Sequence, residues 1–254
     1  RECRGEYMWY TYKKFTNIDE AREWGKKYYS YWLPRYQVGG KLRRIYDTEN
    51  IERYLRGTFS KEEKQELRVD AFENKWFSFY CGGNWGLAVN EKNRWGNTGY
   101  SFPDEQLTEM QAVMDNRLDK SHIPENVWGY RFLKYEHLCL SMKRKHISWG
   151  FIIEDKGYMG VGLVESTLKE EFDIYDTLLK IMIPQGAKGL YVDLISNRSE
   201  EQEVLFARGI KMRVLLTYRF KGKKIIICKM LKPIDGICNM KHVSSFSNIP
   251  KTVA

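Results

Sequence analysis

The chain has 254 residues, 43% of them apolar and 30% charged, and 42 Lys and Arg against 33 Asp and Glu leave a net charge of +9. That is enough apolar material for one or two packed domains, with too little bias for disorder, and no apolar run approaches the ~18 residues of a membrane helix. A membrane channel, a collagen and a coiled coil are excluded, while the positive balance fits either an acidic partner or simple solubility.

Residues 17–36 read as a first amphipathic helix, because Ala21, Trp24, Tyr28, Tyr31 and Trp32 recur at three- and four-residue spacing and Pro34 lies near its end. Residues 47–56 read as a second helix, capped by Asp47 or Thr48 and stopped by Gly57. Residues 60–67 open with Ser-Lys-Glu-Glu, a capping-box pattern, and read as a third. Residues 76–80 are expected to form a strand. The Gly- and Asn-rich stretch that follows, up to Tyr100, is expected to turn repeatedly. Residues 104–118 return to helix after Pro103.

The second half has the texture of strands: 127–133, 147–153, 158–164, 177–183, 189–195, 203–207, 211–218 and 223–231. Turn residues such as Asp155-Lys156-Gly157, Pro184-Gln185-Gly186 and Lys221-Gly222 separate them. One helix, 166–175, interrupts the run. Helices first and strands later, with little βαβ alternation, predict an α+β fold. The expected organisation is one domain over 1–254. Within it, residues 1–120 are mainly helical with a Gly/Trp-rich insertion at 77–100, residues 121–232 are β-rich, and residues 233–254 form a loosely held polar tail. Arg1 is not an initiator, so the chain reads as processed, with any export signal removed.

The five cysteines, Cys3, Cys81, Cys139, Cys228 and Cys238, form no CxxC pair, and the four His show no HxxxH spacing, so no metal site is expected. Cys139 and Cys228 lie in apolar runs and read as buried thiols. Cys3 and Cys238, near the two ends, are candidates for a bridge.

Three places in the β half carry polar or glycine residues where a core would want apolar ones. Arg131 lies in a strand, where a guanidinium needs an anionic partner or pairs with an ordinary carboxylate. Glu201 and Glu203 sit at i and i+2, which on an extended chain share a face; such a pair suits a site that stabilises positive charge, and equally a solvated rim. Gly160-Val161-Gly162 leaves one strand face bare, so a ligand or another backbone can approach, although a β-bulge would look the same.

Taken in order, these motifs resemble the bacterial ADP-ribosyltransferase toxins. The likeness is to the actin-modifying enzymatic components of clostridial and bacillar binary toxins and to their Rho-modifying relatives. Ala21-Arg-Glu-Trp-Gly25 resembles that family's opening helix, and residues 45–56 its second. Pro124-Glu-Asn-Val-Trp-Gly-Tyr-Arg131 is similar to its arginine-bearing strand. Residues 179–192 and 201–214, the latter carrying Glu-x-Glu, are the nearest matches.

The resemblance implies N-terminal helices packed on two roughly perpendicular, mostly antiparallel sheets around an NAD cleft. It implies NAD as substrate, no metal, and transfer of ADP-ribose to an arginine of a host protein, actin or a small GTPase. Arg131 would clamp the diphosphate. Glu203 would hold the ribose 2′-hydroxyl and stabilise an oxocarbenium-like transition state, and Glu201 would orient the acceptor guanidinium. Tyr130, Gly160, Val161, Gly162 and Phe172 would complete the NAD site. Secretion, action in the host cytosol and a separate translocation component follow from the same likeness; nucleic acid and stable membrane insertion do not.

The chain departs from the pattern at Gly160-Val161-Gly162, where the family has Ser-Thr-Ser. The missing hydroxyl predicts slow turnover, lower by ~10–100-fold for a lost bond of ~1.5–3 kcal/mol. Two other readings stand beside this one: a catalytically silent copy of the fold used for docking, and a basic, aromatic-rich nucleic-acid-binding module.

Overall fold

The computed structural model of the chain describes residues 12–29, 35–38, 41–44, 76–77, 79–81, 83–165, 174–194 and 201–232. The helices expected at 47–56 and 60–67, Phe172, the tail 233–254 and the Cys3–Cys238 pair lie outside these residues, as does 166–173 of the helix expected at 166–175; Ile174 and Tyr175 are not helical.

Helix α1 spans Ile18–Tyr29, with acids in its first turn and Lys26 and Lys27 in its last, the order that complements the helix dipole. The Asn17 side chain accepts from the Glu20 N–H at 2.9 Å, and Glu20 accepts in return from the Thr16 N–H at 3.0 Å. The helix is described as far as Tyr29, and Arg35 and Tyr36, expected within it, are strand residues. Residues 35–38 instead form strand β1 (Arg35–Val38), which pairs antiparallel with β2 (Lys41–Arg44).

The stretch 76–100 departs from the expected strand and turns. Residues 76–77 and 79–81 are helical, not a strand. Trp76 and Phe79 are one turn apart and meet edge to face at 5.9 Å, which a strand would prevent by sending them to different faces. The turn-rich region is largely a helix, α2 (Asn84–Trp95), closed by Gly96 at φ 82° with its N–H bonded to the Lys92 carbonyl. Helix α3 (Asp104–Asp119) follows as expected and buries Leu107, Met110, Met114 and Leu118 at helical spacing. A short helix, α4 (Tyr135–Ser141), stands where the sequence pattern predicts no element.

The strands are β3 (Val127–Leu133), β4 (Ile152–Asp155), β5 (Met159–Gly162), β6 (Thr177–Ile183), β7 (Gly189–Tyr191), β8 (Glu203–Phe206), β9 (Ile210–Phe220) and β10 (Lys223–Met230). They form one hydrogen-bonded order, β4-β9-β10-β6-β3-β5-β8-β7, antiparallel except for β10 with β6. The fold is the expected mixed α+β. The sheet is narrow at one point: β3 meets β5 at a single pair, Tyr130 opposite Gly162. Five strands lie on one side of that joint and three on the other. The strand expected at 147–153 is displaced: 147–151 are coil and turn, and β4 starts at Ile152 and runs through Asp155, which was expected in the turn. The strand expected at 189–195 is shorter and gives way to a turn after Tyr191.

The main core gathers α1, α2, α3 and one face of the strands; a smaller cluster of Tyr12, Trp128, Tyr130, Leu178, Met182 and Ile225 packs on the other face. The Trp24 helix motif and the residues leading into β3 are framework. Trp24 Nε1 donates to Glu125 at 2.6 Å, and Asn126 Oδ1 accepts from the Gln185 N–H at 2.8 Å, so α1, the lead into β3 and the β6–β7 turn are tied together. Cys139 and Cys228 are buried free thiols, as expected, and burial pushes the Cys228 thiol up to about 12.

Candidate active site

Between α2 and the β3–β5 joint lies a cleft of about 380 Å³. Strand β3 contributes Arg131, β5 contributes Gly160, Val161 and Gly162, the approach to β8 contributes Glu201, and β8 contributes its first residue, Glu203. The sequence scatters these residues over about seventy positions. Antiparallel register collects them: Gly162 faces Glu203 across β5–β8, and Tyr130 faces Gly162 across β3–β5.

Arg131 is half-buried and donates from Nη1 to the Gly160 carbonyl at 2.7 Å. No carboxylate pairs with it among the described residues, although a partly buried guanidinium favours an anionic partner. One donor therefore fixes β5, and the rest of the fork is available to the cleft. Tyr130 borders the cleft, but its ring belongs to the smaller cluster with Trp128, on the face opposite Arg131. Burial, and after it the charge of Glu165, holds the Tyr130 hydroxyl up at about 12.

Glu203 lies directly over Gly160. A Cβ added at Gly160 would fall on the Glu203 Oε1 and come within 2.9 Å of its Cδ. The bare strand face anticipated from the glycines is thus real, and a carboxylate from the neighbouring strand fills part of it.

The far wall was not legible in the sequence. It is built by Tyr80, Cys81 and the inner side of α2: Gly83, Asn84, Gly86, Leu87, Asn90 and Arg94. Asn90 locks this wall to the sheet. Its Nδ2 donates to the Tyr80 hydroxyl at 2.8 Å, and its Oδ1 accepts from the Tyr158 N–H at 2.7 Å. Arg94 adds a two-pronged ion pair with Asp155 at 2.8 and 2.9 Å, and a bond to the Tyr158 carbonyl at 3.2 Å. Burial, and then the nearby Glu203 charge, raise the Tyr80 hydroxyl well above its ordinary value. The first turn of α2 has no side-chain cap and borders the cleft, so its positive dipole end adds to Arg131. The result is a polarised cleft, cationic at Arg131 and the α2 terminus and anionic at the two glutamates. A second groove, about 590 Å³, shares Arg94, Arg131 and Tyr175 with it and runs toward α4.

Comparison with known proteins agrees with the motif order. The family model for the ADP-ribosyltransferase exoenzyme matches residues 21–233. No sequence among the curated proteins matches the chain. Among solved structures, the chain is similar to Plx2a, an ADP-ribosyltransferase toxin from Paenibacillus larvae. That match has 19% identity and a TM-score of 0.60 over 86% of this chain and 99% of that one. It is similar to the Clostridium limosum C3 exoenzyme, at 18% identity and a TM-score of 0.59 over 87% and 98%. It is also similar to C3stau2 from S. aureus, solved with NAD, at 19% identity and a TM-score of 0.58 over 88% and 100%.

Proposed function

Since the chain belongs to the ADP-ribosyltransferase exoenzyme family, we propose that it cleaves NAD in the polarised cleft and transfers ADP-ribose to an arginine of a host protein. The observation that carries this reading is the convergence of an Arg131 fork with donors to spare, a glycine patch at Gly160 and Gly162 with the Glu203 carboxylate over it, and Glu201 on one cleft.

The chemistry asks for that polarity. The nicotinamide–ribose C–N bond breaks and its electron pair leaves on neutral nicotinamide, which makes the ribose carbon oxocarbenium-like. Arg131 and the α2 terminus hold the diphosphate, because a guanidinium fork and helix N–H groups both match phosphate oxygens. Glu203 holds the ribose 2′-hydroxyl and faces the developing cation with its carboxylate. Glu201 orients the acceptor guanidinium and takes its proton as the new N–C bond forms. The second groove leaves room beside the cleft for the acceptor protein. The absence of a hydroxyl at 160 makes the reaction slow, and because Glu203 fills the space over Gly160 a serine placed there alone does not speed it. Secretion, entry through a separate translocation component and an actin-like target in the host cytosol belong to the same proposal.

Incubation of the chain with biotin-labelled NAD and a eukaryotic lysate tests it. A labelled band near the mass of actin, lost in Glu203→Gln and with the label mapped to an arginine by mass spectrometry, supports the reading. A parent chain that binds NAD and labels nothing supports a silent, docking copy of the fold.

A further inference from the structure

Gln202 stands between the two cleft glutamates and is itself fully buried. Its backbone is left-handed, with φ 50°, a conformation that a non-glycine residue rarely adopts. A buried amide is tolerated only when its polar atoms are met. Here the segment after β7 meets them. The Gln202 backbone N–H donates to Asp193 Oδ1 at 2.9 Å, and its Nε2 donates to Asp193 Oδ2 at 3.0 Å. The Tyr191 hydroxyl donates to Gln202 Oε1 at 2.5 Å. Next to them, the Val192 N–H donates to the Glu203 carbonyl at 3.0 Å.

Asp193 is only 5% exposed. Among the described residues no Lys or Arg forms an ion pair with it, so its acceptors go to the Glu201–Glu203 segment and to Tyr191. For packing alone, an apolar pair would serve as well or better than a buried carboxylate. Tyr191 is seated in turn by α1. Its ring lies against Gly25, where an added Cβ would come within 2.5 Å of Cζ, and beside Trp24 and Tyr29 at 6.0 and 6.2 Å. A continuous set of contacts thus runs from the Trp24-Gly25 motif to the residue between the glutamates.

We infer that Asp193 and Tyr191 clamp Gln202 and thereby set the spacing and facing of Glu201 and Glu203, which makes all three positioning residues for the transfer reaction. This rests on the function proposed above. Because none of Tyr191, Asp193 and Gln202 lines the cleft, the clamp acts on turnover and leaves NAD binding alone.

A charge exchange tests it. Asp193→Ala removes the acceptors. Gln202→Glu sets two carboxylates face to face. The double variant Asp193→Asn/Gln202→Glu restores the pair between the two side chains with its direction reversed, since the new amide donates to the new carboxylate, and leaves the amide oxygen at 193 to accept from the 202 N–H. In the full chain, each single variant should lower kcat for nicotinamide release by at least ~10-fold with KM for NAD within ~2-fold, and the double variant should return to within ~3-fold of the parent. Amide hydrogen exchange at 202–203 should be faster in the single variants and slow again in the double. Parental kcat in both single variants, or a double variant no better than Gln202→Glu, overturns the clamp. If the parent releases no nicotinamide, the functional reading fails, and the exchange data alone decide: unchanged exchange in the single variants refutes the clamp.

Discussion

Replacing Gly160 separates the two consequences of lacking a side chain there. A methyl at that position would clash with the Glu203 Oε1 and lie 2.9 Å from its Cδ. Contacts between such atoms settle near ~3.5–4 Å, so the carboxylate must withdraw by more than ~1 Å. A misplacement of ~1 Å in a catalytic group costs about 10²-fold in rate. Gly160→Ala is therefore expected to lower kcat for NAD glycohydrolysis ~100-fold with little change in KM for NAD. Gly160→Ser forces the same withdrawal but offers a hydroxyl to the displaced carboxylate, a bond of ~1.5–3 kcal/mol, so it should exceed Gly160→Ala by ~10–100-fold. Steady-state nicotinamide release, with circular dichroism to confirm folding, measures both. A folded Gly160→Ala chain with parental kcat would refute the reasoning, because the carboxylate over Gly160 would then have no part in the rate.

Other outcomes follow from the same geometry. Arg131→Lys keeps the charge but loses the fork that reaches both the Gly160 carbonyl and a phosphate; KM for NAD should rise ~10-fold or more, with a smaller effect on kcat, in steady-state assays. Burial lifts the Asp193 carboxyl from 3.8 to about 7, against the pull of the Gln202 N–H, the Tyr191 hydroxyl, Arg22 on α1 and the Glu203 N–H. Between these values the folded chain holds a proton that the unfolded chain has released. Stability from this group is thus full below pH ~4, falls as pH rises toward ~7 by at most about 4 kcal/mol, and is flat above. Urea midpoints from pH 5 to 8 should decline more steeply for the parent than for Asp193→Asn, and equal slopes would contradict the shift. Gly25→Ala presses a methyl on the Tyr191 ring and should cost ~1–3 kcal/mol of stability in urea denaturation.

The sequence made the strands and the polar anomalies visible, because alternation and turn chemistry are local. β3 and β6 occupy their expected residues, and Arg131, Glu201 and Glu203 stood out as charges in the β half, although Glu201 precedes β8 and the left-handed Gln202 breaks the extended spacing expected of the glutamate pair. The far wall was hidden by composition. Gly82, Gly83 and Gly86 with Asn84 and Asn90 look like turns, yet Gly86 packs under the Tyr80 carbonyl and Asn90 is a buried bridge. The faint signal was Trp85, Ala88 and Val89 at helical spacing, and the stretch from Trp76 to Tyr80 misled because four aromatics in five residues, broken only by Ser78, carry neither period. Asp193 and Gln202 were invisible for a different reason. An Asp after a strand looks like a turn residue, and nothing in a glutamine announces a left-handed backbone; their meaning arises only once β7 and β8 are adjacent.

Nicotinamide release at saturating NAD, compared between the parent and Glu203→Gln, tests the central claim most directly. The account predicts measurable release by the parent and a loss of at least ~100-fold in the variant, with NAD binding retained. Equal release from both chains would contradict it.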